Sequence, residues 1–66
     1  MPSALIRSFE YDPASQHLRI VFQTGRCYVY QEVPEAIYLG MKGAFSKGEY
    51  FNDHIREHFR FVRGSA

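Results

Sequence analysis

Sixty-six residues with six Phe, five Tyr and 45% hydrophobic content allow one small domain with an aromatic core and exclude a disordered chain. Eight Lys and Arg against seven Asp and Glu leave a net charge of +1, far from the basic excess of a dedicated nucleic-acid binder. The one cysteine excludes an internal disulfide, and no apolar run approaches the roughly 18 residues of a membrane span. Cys27 therefore reads as a small buried hydrophobe. A chain this small without disulfides, and with no signal-peptide pattern at its start, is expected in the cytoplasm.

The predicted elements follow in chain order. Residues 4–11, ALIRSFEY, have strand-like density, and DPASQ after them is a turn cluster. HLRIVFQ alternates: Leu18, Ile20 and Phe22 face one way, Arg19 and Val21 the other. RCYVYQ is rich in β-branched and aromatic residues and reads as a third strand. Short connections make an antiparallel meander the economical topology.

The turn between the second and third strands decides where Tyr28 and Tyr30 point. A two-residue Thr24–Gly25 loop would put both tyrosines opposite the Leu18/Ile20/Phe22 face, but β-branched Thr is poor at a position needing positive φ. A three-residue Gln23–Thr24–Gly25 loop places Gly25 in the left-handed region instead. That register pairs Phe22 with Arg26, Ile20 with Tyr28 and Leu18 with Tyr30. It is the favoured one, and it makes the tyrosines part of the covered face.

The second half is helical. Pro34 suits a first helical position, Val33 packs onto the first turn, and Ile37 and Met41 form a stripe with Tyr38 beside it. Gly40 and Gly43 weaken this helix and end it near Gly43. Ser46 with Glu49 three residues on is a capping-box signature, and Phe51, Ile55 and Phe59 follow at intervals of four. The tail RFVRGSA is either a short last strand or a frayed end. The expected fold is α+β: a three-stranded antiparallel meander followed by two helices packed on one sheet face, β-β-β-α-α, in one domain over 1–66 with its core over 3–60.

SALIRSFEYD, LRIVF with a following Gly, YVY then VP, and SKGEYFNDHIR, in this order and spacing, resemble the KTSC domain. This family takes its name from the C-terminus of some lysyl-tRNA synthetases and also occurs as free-standing small bacterial proteins. The resemblance spans residues 3–60. It implies a small domain without an established activity, and the synthetase association suggests RNA. Glu49 stands where many relatives are expected to have a basic or neutral residue; it strengthens the helix cap and weakens a phosphate site there.

Tyr28 and Tyr30 would stack bases if exposed, and are core-edge residues if covered. Lys47 with Gly48 at a helix N-terminus suits a phosphate, and Asn52 and Arg56 flank the Phe51/Ile55 stripe. Arg19 is expected on the sheet face away from the helices, beside Val21, Cys27 and Val29, with Arg7 nearby. That open face could meet RNA or another protein, including a second copy in a homodimer. His54 and His58 have metal-compatible spacing, but His17 is distant and Arg56 lies between them, so no metal is expected. No nucleophile–base pattern, phosphate loop, catalytic residue, cofactor motif or small-molecule substrate site is evident. Two readings therefore stand: a non-enzymatic RNA-binding domain using Arg7, Arg19, Tyr28, Tyr30, Lys47, Asn52 and Arg56, or a protein-interaction module using Val21, Cys27 and Val29.

Overall fold

A computed structural model describes residues 6–64. The elements are β1 (Ile6–Asp12), β2 (His17–Phe22), β3 (Cys27–Tyr30), α1 (Glu35–Gly43), α2 (Lys47–His54) and β4 (Phe61–Arg63). The strands form one antiparallel sheet in the order β1-β2-β3-β4. The expected meander is present, with one correction: the tail adds a fourth strand. Without β4, β3 would be an apolar edge with unpaired backbone groups. The Gln31 N–H donates to the Arg60 carbonyl at 2.8 Å and the Gly64 N–H to the Cys27 carbonyl at 2.9 Å, bracketing the added strand. Ala4 and Leu5, the start of the expected first strand, lie outside the described residues.

Two turns set the register. Asp12 organises the first: its side chain accepts from the Ala14 N–H and the Ser15 hydroxyl, both at 3.0 Å, which is how Asp commonly closes a turn. In the second, Gly25 has φ +96°, and the Phe22 N–H donates to the Arg26 carbonyl at 2.9 Å. The result is the favoured register, with Ile20 opposite Tyr28 and Leu18 opposite Tyr30. A residue with a Cβ would be strained at that φ, so glycine is required there.

One sheet face therefore carries Ile6, Phe9, Tyr11, Leu18, Ile20, Phe22, Tyr28 and Tyr30, and the helices cover it. Leu18, Ile20, Tyr30, Val33, Met41, Phe51 and Ile55 form the buried cluster. Phe51 links the helices to the sheet by edge-on ring contacts to Phe22 at 5.4 Å and Tyr30 at 5.6 Å. Burying these side chains is the main source of stability in so small a chain, at roughly 25 cal/mol per Å² of apolar surface.

The helix ends follow local chemistry. Pro34 is the N-cap of α1 rather than its first helical residue, with ψ 148°, a one-residue correction. The Ser46 hydroxyl caps α2 by accepting from the Glu49 N–H at 3.2 Å. α2 stops at His54, so the stripe to Phe59 is not continuous helix. The Ile55 and Arg56 N–H groups both donate to the Phe51 carbonyl, at 3.0 and 2.9 Å, and close the helix. Asn52, Asp53 and His54 are weak helix formers. The following turn still brings Phe59 against the core and returns the chain to β3.

β1 is tied to the helices through Tyr11. Its hydroxyl donates to the Val33 carbonyl at 2.6 Å and its ring stacks on Tyr38 at 4.9 Å. Burial, then the Glu35 and Asp12 charges, raise the Tyr11 phenol above its ordinary 10.0. Burial, then Tyr28, raise Tyr30, with Arg56 acting in the opposite sense. Stability held by these neutral phenols is fully present below about pH 10 and declines as pH rises through their elevated native values. Thermal melts against pH are expected to show this alkaline decline, and Tyr11→Phe to lower the melting temperature at neutral pH and flatten the decline. Between the helices, a Cβ on Gly40 would overlap the Tyr50 ring. Gly40→Ala is expected to destabilise the wild type and to stabilise a Tyr50→Ala background by about 0.5–1 kcal/mol, the helix preference of Ala over Gly. Urea titrations of the four proteins in this cycle read both effects.

Candidate nucleic-acid interface

The structure separates the residues that the sequence offered as one RNA site. Arg7 is the extra residue of a bulge between Ile6 and Ser8, exposed on edge strand β1. Arg19 lies on the open sheet face, opposite Glu10 and Val29, and its Nη1 reaches Glu10 Oε1 at 3.3 Å. Tyr28 and Tyr30 sit on the opposite, helix-covered face. Tyr30 is only 2% exposed, so it cannot present its ring to a base.

Lys47 and Asn52 are also turned to structural use. The Lys47 ammonium donates to the Ala44 carbonyl at 2.8 Å and the Lys42 carbonyl at 3.1 Å. It therefore sits on the C-terminal carbonyls of α1, where a cation is favoured, rather than facing a phosphate. The Asn52 Oδ1 is buried and accepts no hydrogen bond among the described residues, so this amide faces into the fold. Arg56 is exposed just beyond α2 and close enough to influence the Tyr30 hydroxyl.

The open face is also narrower than expected. Val21 and Cys27 are buried, at 8% and 3% exposure, so Cys27 is the small buried hydrophobe expected, and the reading of both as parts of an exposed interaction face is corrected. Neither belongs to the helix-side cluster, in keeping with their positions opposite each other on the other face. Val29 is half-buried and pairs with Val62, which β4 brings alongside it. The His54 ring lies tilted against Tyr50 at 4.4 Å and the His58 ring meets the Asp53 carbonyl at 3.1 Å. Among the described residues, no three His, Cys, Asp or Glu side chains come together as metal ligands.

A different constellation emerges at β4. Phe61 pairs with Tyr30 and Arg63 with Tyr28, so both point to the helix side of the sheet. The Phe61 ring rests on Tyr28 at 4.9 Å and Tyr30 at 5.2 Å, yet the residue stays 49% exposed. Arg63 follows on the same face and is exposed, and Arg56, also exposed, is near enough to act on the Tyr30 phenol beneath the ring. An exposed aromatic on an aromatic floor with guanidinium groups near it can stack a base and hold its phosphate. Around the same end, Gln31, Glu32, His58, Phe59 and Arg60 line an open groove of about 350 Å³. Phe61 is not among the residues expected from the sequence, where the tail stays open between a short last strand and a frayed end. RFVR has no polar–apolar alternation to mark a strand; once it pairs with β3, Phe61 and Arg63 share a face because they are two residues apart.

The fold and its surface define a small α+β domain with one covered sheet face and an aromatic–arginine edge. The KTSC domain model matches residues 2–59, and the chain belongs to that family. It is similar to the lysine–tRNA ligase of Nostoc punctiforme, with 36% identity over 58 residues, covering 88% of this chain and 10% of the ligase. The chain thus spans about a tenth of the length of that relative. An uncharacterized protein of Stutzerimonas stutzeri is 34% identical over 64 residues, covering 96% of this chain and 90% of that protein. The crystal structure of a KTSC domain protein from Yersinia pestis superposes with a TM-score of 0.90 at 32% identity, covering 98% of this chain and 92% of the other. No helix among the described residues is long and apolar enough to cross a membrane.

The position of Lys47 is testable. Lys47→Gln is expected to cost about 0.3–1 kcal/mol of stability through the lost charge on α1, while leaving the salt dependence of any RNA binding unchanged. Urea unfolding and a salt-titrated binding assay on the same variant separate these roles.

Proposed function

We propose that this domain is a non-catalytic, cytoplasmic RNA-binding module whose contact surface is the β4 end of the helix-covered sheet face. The supporting observation is Phe61, half-exposed on Tyr28 and Tyr30, with Arg63 two residues along the same face and Arg56 acting on the Tyr30 phenol. Single-stranded RNA presents unstacked bases that such a ring can stack, and phosphates that arginine can hold. The lysine–tRNA ligases that contain a similar segment add support from association. The near-neutral net charge limits the reading to a local patch and modest affinity.

A protein-interaction role for the open sheet face is the second reading. Of its three candidates only Val29 retains partial exposure, with Val62, 49% exposed, now next to it. It therefore has less to recommend it than the β4 patch.

A salt-titrated assay with mixed-sequence single-stranded RNA is the test. Affinity should fall with salt, and Arg63→Ala and Arg56→Ala should each reduce the log–log slope by about 0.7, one phosphate contact. Phe61→Ala should weaken binding by about 1–3 kcal/mol at every salt concentration. Arg7→Ala, on the other sheet edge, should leave binding unchanged. No binding at low salt overturns the proposal.

A further inference from the structure

We infer that β4 is a homotypic pairing edge, through which two copies of this chain join their sheets antiparallel with Val62 opposite Val62. The first ground is which backbone groups are free. In the β3–β4 ladder, Arg60, Val62 and Gly64 face Gln31, Val29 and Cys27, with hydrogen bonds at both ends of the run. Backbone groups alternate along a strand, so the N–H and C=O of Phe61 and Arg63 point to the outer edge. They have no partner among the described residues.

The second ground is register. Setting Val62 against Val62 of a second copy makes Phe61 and Arg63 of the two chains hydrogen-bonded pairs. All four outward groups on each strand are then satisfied. Each Phe61 ring lies across from the other copy's Arg63 guanidinium, a favourable cation–aromatic pairing. The two valines fall in the closer, non-hydrogen-bonded position, where apolar side chains meet best. Centring the pair on Arg63 would oppose two cations. Centring it on Phe61 would set Arg63 against Phe59, beyond the strand.

The third ground is contrast with the other edge. β1 carries Arg7, Glu10 and Asp12 and is bulged at Arg7, features that discourage pairing. β4 has neither acid, proline nor bulge, and all three of its residues are exposed. Pairing β4 with β4 closes on a two-fold axis, whereas pairing β4 with β1 would propagate without closing. A three-residue strand buries far less than the roughly 1,200–2,000 Å² of stable complexes, so this dimer is weak and exchanges quickly. It is argued from the backbone edge and its register and does not presuppose the RNA reading, although it shares Phe61 and Arg63 with that surface.

The test is made on the full chain without RNA. Sedimentation equilibrium should show a dimer fraction that grows with concentration. Hydrogen exchange at the Phe61 and Arg63 amides should slow in parallel, while Val62, bonded to β3, is protected throughout. Phe61→Glu, which sets a carboxylate across from Arg63, should retain association. Phe61→Arg, which opposes two guanidinium groups at both symmetry-related pairs, should weaken it about tenfold. Equal loss in both variants points to another register or to a generic apolar contact, and overturns the inference. So does a monomer up to about 1 mM with concentration-independent exchange, or edge protection that arises only when RNA is added. If either variant fails to fold, the wild-type exchange experiment decides alone.

Discussion

The fold depends on the backbone of Gly25. At φ +96° it lets a three-residue loop join β2 to β3, and so decides which face of β3 meets the helices. Because strand side chains alternate, a slip of one residue would put Tyr28 and Tyr30 on the solvent side and Cys27 and Val29 in the core. Phe51 would then face a small thiol and a valine in place of the Tyr30 ring that it meets at 5.6 Å. Two buried helical stripes would lose their aromatic floor. One permissive residue thus fixes the identity of the core.

That choice also shapes the edge of the sheet. With Tyr28 and Tyr30 on the covered side, the next strand must offer something to pack between them and solvent, and Phe61 does. The ring gains contact with both tyrosines while one half stays wet. Arg63 follows on the same face because it is two residues along the strand. The aromatic–arginine surface is therefore a consequence of register at the far turn rather than a separate local motif.

What was legible in the sequence is what has a period or a turn signature. The alternation Leu18, Ile20, Phe22 and the strain argument at Gly25 led to the correct register, and Ser46 with Glu49 marked the start of α2. The strand of Phe61–Arg63 is too short for periodicity to distinguish it from a frayed end. It is formed by demand from β3's unpaired edge, a long-range effect. The end of α2 was hidden for the related reason that Phe59 is spaced as a helical residue but reaches the core through a turn. Lys47 looked like a phosphate ligand because its spacing to the α2 N-terminus is local, whereas its partners, the carbonyls of Lys42 and Ala44, depend on how α1 ends. Val21 illustrates the same limit from the other direction: its face was assigned correctly and its burial was not visible from it, whereas the burial of Cys27 followed from its residue type.

The small area of this surface constrains how it could work. On the proposed RNA reading, one half-exposed ring and the arginines near it would give modest affinity for a flexible strand, because ordering the RNA offsets much of the gain. Linkage is the usual remedy: a second site on the same body converts the next contact into an intramolecular one. Pairing at β4 would supply that second site directly. A two-fold axis through Val62 keeps both helix layers on one side of the joined sheet, so the Phe61 and Arg63 patches of the two copies would adjoin on one face. The Phe61 backbone groups would be occupied by the second copy while half of its ring remained available. Edge pairing would set each Phe61 ring beside the other copy's Arg63, so the two copies would share one aromatic–arginine surface and pairing would raise the effective concentration for stacking.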